Sequence, residues 1–256
     1  MGSSRQRSHY RQSGAMKRIV TLGILGLAVL VSCSVKEDRT DCPCWLTVRA
    51  SYPNEVVSAW FGTHTLFDGL MGEQIDRQVP RGTVDLVASR GQFTVPPGQQ
   101  MDELFATAMQ VDTQCEEAEA IPFLNKQFAR IYFVFKEAEE GRLNIRLEAV
   151  GNIKGADKRT LEPVQGAFGC TPDDNPDGGY VFRAPRQKDN SLMLNRWTAD
   201  GDELPSIPLG QIIQKAGFDW TTESLGDIEI LADIPASSFQ ITAMDWQGPI
   251  TMTVTI

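Results

Sequence analysis

The feature that most limits what this chain can fold into is a succession of short runs with alternating apolar residues, each closed by Gly, Pro, Asn or Asp. Pro249–Ile256 shows it most plainly, with Ile250, Met252, Val254 and Ile256 separated by Thr251, Thr253 and Thr255. A period of two places these sets on opposite faces of a strand, which predicts the apolar set inward and the threonines outward. Similar runs predict strands at 45–51, 56–61, 84–89, 92–95, 106–111, 130–136, 143–150, 180–184, 191–198, 227–234 and 238–245. Runs of four to eight residues between turn formers are the spacing of β-sandwiches. Hairpin connections are expected at Glu139–Gly141 and at Asp200–Gly201. One helix is expected, Pro208–Ala216: Leu209, Ile212 and Ile213 make one apolar face, and Gly217 suits the position just past its end. A strand that runs to the last residue is expected to be paired with something.

Before this β-rich body lies a segment of different character. Lys17 and Arg18 precede an apolar run from Ile19 to Val31, which is the layout of a secretory signal and short of the roughly 20 residues of a membrane span. Leu30, Val31, Ser32 and Cys33 resemble the bacterial lipobox, in which the chain is cut before the cysteine and that cysteine is acylated. Several acyl chains, each adding about 0.8 kcal/mol per buried methylene, would anchor the protein to a membrane without spanning it. Lys36, Glu37 and Asp38 resemble the signal that sends Bacteroidota lipoproteins to the outer face of the outer membrane. The expected organisation is an upstream extension over 1–15, a signal peptide over 16–32 and a lipidated tether over 33–44. An N-terminal β-sandwich over 45–125 and a C-terminal one over 126–256 follow, the boundary lying near Asn125.

Charge and composition narrow the chemistry. Five of the 24 basic residues and none of the 33 acidic ones precede Cys33, which leaves the remainder of the chain at −14. So acidic a body repels a phosphate backbone, and no nucleic-acid partner is expected. Of two histidines only His64 falls in the body, so no histidine-based triad or relay can be assembled. Asp173, Asp174, Asn175, Pro176, Asp177 and Gly178 match the opening of a calcium loop, but Ala184 stands where the twelfth-position carboxylate is needed, so the segment reads as a turn. No nucleophile elbow, zinc-protease or phosphate-loop motif occurs. The expectation is a non-enzyme with no cofactor and no metal. Trp45, Trp60, Trp197, Trp220 and Trp246 could stack on sugars. Trp45, Trp197 and Trp246 lie inside alternating runs, which favours the core for them.

With Cys33 set aside, Cys42, Cys44, Cys115 and Cys170 remain, an even number in an oxidising compartment. The preferred pairing is one bridge from Cys42 or Cys44 to Cys115, pinning the first strand; the alternative is four thiols.

Two stretches together resemble the fimbrillin-associated anchor family, the FimB-type lipoproteins of Bacteroidota type V pili. One is CSVKEDRTDCPCWLTV, from Cys33 to Val48. The other is IPLGQIIQKAGFDW from Ile207 to Trp220, followed by DIEILADI from Asp227 to Ile234 and a closing strand pair around Trp246. Asp102, Leu104 and Phe105 are similar to a shorter mid-chain pattern. The resemblance implies two tandem transthyretin-like β-sandwiches, no catalysis, a place at the base of a fimbria on the outer membrane, and pairing of strands with a pilin subunit. A surface lipoprotein that binds glycans on a similar sandwich is the alternative.

Overall fold

In a computed structural model, residues 42–136, 145–174, 178–188, 190–233, 238–245 and 248–255 are described. The signal, lipobox and export residues Leu30, Val31, Ser32, Cys33, Lys36, Glu37 and Asp38 lie outside them, as does Trp246.

The protein is all-β, two tandem sandwiches with one short helix among the described residues. The first comprises β1 (Cys44–Arg49), β2 (Val56–Phe61), β3 (His64–Leu70), β4 (Gln74–Val79), β5 (Thr83–Arg90), β6 (Phe105–Asp112), β7 (Glu117–Ala120) and β8 (Asn125–Lys126). They form a three-stranded sheet in the order β4-β1-β7 and a five-stranded sheet in the order β3-β2-β5-β6-β8. Alternation explains the packing of β1: Cys44, Leu46 and Val48 are buried against Val57, Ala59, Val84 and Leu86 of the facing sheet, and the intervening Trp45 and Arg49 point out.

The second sandwich comprises β9 (Phe128–Phe135), β10 (Ile145–Ala156), β11 (Pro163–Cys170), β12 (Asp173–Asp174), β13 (Tyr180–Pro185), β14 (Met193–Thr198), β15 (Glu203–Ile207), α1 (Leu209–Lys215), β16 (Asp227–Asp233), β17 (Ser238–Asp245) and β18 (Gly248–Thr255). Its sheets run β11-β10-β14-β15 and β12-β13-β9-β16-β17-β18. Phe128, Ile131, Phe133, Phe182, Leu194, Ile212, Ile228 and Ile230 fill its separate core. Helix α1 buries Leu209, Ile212 and Ile213 and ends at Ala216, and Gly217 then takes φ +77°, a left-handed conformation that glycine adopts without steric cost.

Four expectations are corrected. The run 130–136 does not form a hairpin with 143–150, because β9 pairs with β13 and β16 while β10 pairs with β11 and β14 in the other sheet. Residues 92–95 give only an isolated bridge between Thr94 and Gly155. Trp45 is outward and 45% exposed, because β1 buries its even-numbered residues. Of the set expected inward on the last strand, Val254 is buried but Ile250 and Met252 are 51% and 43% exposed. The Asp200–Gly201 hairpin does form, joining β14 to β15 with Gly201 at φ +92°.

Candidate functional site

Among the described residues, strand β18 lies at the end of the six-stranded sheet and pairs only with β17. Met252 lies opposite Ile241 and Ile250 opposite Ala243, and opposed residues of an antiparallel pair project from the same face. Ile241 is fully buried while its neighbour Met252 is half open, so on β18 the core's cover reaches Val254 but not Ile250 and Met252. The outer face carries Thr251 and Thr253, and Thr251 shares a hydroxyl hydrogen bond of 3.0 Å with Thr242. The result is an eight-residue free edge with an uncovered apolar strip beside it. Exposed strand edges of this length are templates for pairing with another chain. The opposite edge strand, β12, has two residues.

The cysteine end of the first sheet is built by parallel pairing of β1 with β7. Trp45 N donates to Glu116 O at 2.8 Å, which draws Cys115 alongside Cys44. Burial pushes the Cys44 thiol up, and the adjacent Cys115 adds to the shift. Cys42 and Cys115 are exposed and Cys44 is buried. Cys170 lies in the other sandwich's core, where burial pushes its thiol up to about 12. No disulfide is formed among the described residues. Of the candidates, Cys44 and Cys115 are therefore brought together, and Cys170 is apart from them in the other core. Asp173 and Asp174 of the calcium-like segment pair with Val181 and Tyr180 in the sheet, and no cluster of three metal-ligating side chains occurs among the described residues.

The sandwiches are joined by a charged and hydrogen-bonded seam. Lys158 Nζ contacts Asp68 Oδ2 at 2.7 Å, and Arg159 pairs with Asp85 and donates to Gly62 O at 2.7 Å. The hydrogen bond from Lys158, then that from Ser58, holds the Asp68 carboxyl below the usual carboxylate range. For Asp85 the bond from Arg159 acts first and that from Gln110 second. At the other side of the seam, Arg186 is buried and donates to Gln127 Oε1 and to the carbonyls of Trp220, Thr222 and Glu223. Gln127 Nε2 in turn reaches Ala106 O in the first sandwich at 3.1 Å. This network floors a cleft of about 710 Å³ between β6, the Thr160–Pro163 turn, α1 and the Phe218–Glu223 loop. Sequence reasoning missed this cleft, whose walls come from segments up to about a hundred residues apart.

The tryptophans do not form one platform. Arg159 lies over the Trp60 ring at 5.6 Å and Arg146 over Trp197 at 4.3 Å, and both rings are half-buried. Trp220 is half-buried and meets Phe218 edge to face, with ring centres 4.9 Å apart.

No family model matches the chain, and no curated protein matches it in sequence. Solved structures do share its fold. A candidate polysaccharide-binding protein of the DUF1812 group from Bacteroides thetaiotaomicron superposes with a TM-score of 0.58 at 13% identity, over 83% of this chain and 98% of that one. A candidate adhesin from the same species gives 0.52 at 14% identity, over 86% and 100%. The fimbrial anchor protein Mfa2 from Porphyromonas gingivalis gives 0.50 at 11% identity, over 80% and 98%. The chain therefore has the tandem-sandwich fold found among Bacteroidota fimbrial and adhesin proteins. Among the described residues no helix is long and apolar enough to cross a membrane.

Proposed function

We propose that the chain is a cell-surface anchor subunit of a fimbria, of the FimB-type family, with no catalytic activity. Acyl chains on Cys33 hold it in the outer membrane after cleavage behind Ser32, and Lys36, Glu37 and Asp38 direct it to the outer face. Residues 33–44 form the tether, 45–125 the first domain and 126–256 the second. A fimbrial subunit pairs with β18. The observation that carries this reading is the free edge of β18 with Ile250 and Met252 uncovered beside it. A strand from a partner would satisfy the edge backbone groups and cover those side chains in one step. The fold shared with Mfa2 supports the assignment of an anchor. At the cysteine end, a bridge from Cys44 to Cys115 would fasten β1 to the segment leading into β7.

The test is removal of residues 250–256 beside a Met252→Asp variant in cells. Fimbriae are expected to be shed in both while the lipoprotein stays on the cell. Fimbriae that remain attached to cells carrying the folded Met252→Asp protein would show that this edge is not the docking strand. Cys33→Ala should release the protein itself into the medium.

A second reading, a glycan-binding surface lipoprotein, is favoured by the cleft at the seam, where aromatic and amide side chains converge.

A further inference from the structure

We infer that the cleft at the seam binds an uncharged oligosaccharide, a function separate from anchoring. Its volume of about 710 Å³ falls within the range of small-molecule sites, roughly 300–1,000 Å³. Phe218 and Trp220, half-buried and packed edge to face, give the cleft an aromatic lining of the kind against which the apolar face of a sugar ring packs. The Arg186–Gln127 network makes the floor rigid before any ligand arrives.

The same network decides against an anion. A guanidinium has five N–H donors, and those of Arg186 are directed to Gln127 Oε1 and three backbone carbonyls. A carboxylate, sulfate or phosphate in the cleft would find no fork to bind it. Around the rim Lys188 is set against Glu162, Asp219 and Glu223, so the cleft does not concentrate positive charge either. What remains for a ligand is the Gln214 amide and the Thr107 hydroxyl, with the Lys188 ammonium offset by the carboxylates lining the same cleft. Gln187, also in the wall, is buried, with its Nε2 donating to Pro185 O at 2.7 Å and its Oε1 turned toward Gly151 and away from any ligand. A ligand rich in hydroxyl groups and lacking charge matches this set.

The turn that forms one wall is held in an unusual conformation. Leu161 has φ +60°, uncommon for a branched side chain, while Asp157 accepts bonds from the Arg159 and Thr160 amides at 2.8 Å. Leu161 packs against the core of the second sandwich, so the strained turn fixes the wall.

The experiment titrates the detergent-solubilised full chain with maltotriose, cellotriose, mannotriose and sialyllactose, following tryptophan fluorescence and calorimetry. Saturable binding of at least one neutral trisaccharide is expected, with no binding of sialyllactose. Gln214→Ala and Lys188→Ala are both rim changes that leave the core intact; the first should weaken it about 3- to 10-fold, the worth of one neutral hydrogen bond, and the second by about 10-fold or more, since a charged donor makes the stronger bond. Trp220→Ala should abolish it, and Trp45→Ala, outside the cleft, should leave it unchanged. Absence of binding for all three neutral probes, binding that survives both rim variants, or tighter binding of sialyllactose would overturn the inference. Met252→Asp on β18 should leave sugar binding intact, so anchoring and saccharide binding can fail separately.

Discussion

Gln127 Oε1 accepts two hydrogen bonds from one guanidinium, Arg186 Nε at 3.2 Å and Nη2 at 2.9 Å, and so ties the segment joining the sandwiches to the end of β13 and the loop after α1. Arg186→Ala would leave that oxygen and the carbonyls of Trp220, Thr222 and Glu223 without their donor. Removing several partners from a buried network should destabilise the fold by about 3 kcal/mol. Urea denaturation of the variant should show the loss as a lower midpoint, and an unchanged midpoint would mean water replaces the guanidinium at no cost.

The carboxylates of the seam make stability depend on pH in one direction. Asp68 and Asp85 are held below the usual carboxylate range in the folded state, so each stabilises the fold above its unfolded value, near 4. That contribution is lost progressively as pH falls below about 4 and through the lower folded values. The double variant Asp68→Asn, Asp85→Asn should therefore flatten the acid limb of a Tm-against-pH curve. An acid limb as steep as in the parent would assign it to other groups.

Thiol reactivity should differ sharply along the chain. Cys115 is exposed, whereas Cys170 is buried with its thiol raised to about 12. Since the thiolate is the nucleophile, iodoacetamide at pH 8 should label Cys115 in the reduced native protein and spare Cys170 until urea is added. A mild disulfide oxidant should join Cys44 to Cys115, read by peptide mass mapping as a linked pair two hydrogens lighter; Cys170 crosslinked to either would contradict the separation of the two cores.

Glycine inside a helix is ordinarily improved by alanine, by about 1 kcal/mol. Gly210 should reverse that sign, because a Cβ there would lie 2.4 Å from Asn190 O and 2.5 Å from its carbonyl carbon. Gly210→Ala should lower the melting temperature by several degrees, and a raised one would show that the Asn190 segment yields freely.

What could be read from the sequence follows the range of the forces involved. Strand β17 was legible to the residue because its two faces differ in polarity, and β2 because its apolar run is bounded by Asn54 and Gly62. Strands β3 (HTLFDGL) and β4 (QIDRQV) were missed because both are largely exposed and carry Asp, Arg, Gln or Gly on either face, which erases the alternation. Alternation states which residues share a face and leaves open which face is covered. Hence Trp45 was read inward although Cys44, Leu46 and Val48 set the opposite phase, and Ile250 and Met252 were read inward although nothing described covers them. The pairing of β9 with β13 and β16 instead of β10 is a long-range choice that no local turn records. The cleft was illegible for the same reason, since Thr107, Gln127, Arg186, Gln214 and Trp220 become neighbours only when the sandwiches close. The lipobox expected at Leu30–Cys33 and the export motif expected at Lys36–Asp38 are readings of the sequence alone, and both lie outside the described residues.

The parallel ladder between β9 and β16 has a consequence for how the protein comes into being. Asp227 accepts from the Arg130 amide across 97 residues of sequence, and Ile131 and Ile228 stand side by side in the middle of the sheet. On a chain emerging from the ribosome N-terminus first, the first sandwich has all its strands once Lys126 is out. The second must hold β9 and β13 with one flank open until nearly the whole chain has emerged. Closing so long a loop is slow, and the waiting flank is rich in Ile, Phe and Val. Refolding should thus be sequential, a fast phase for the first sandwich and a slow one for the second, with aggregation competing only in the interval between them.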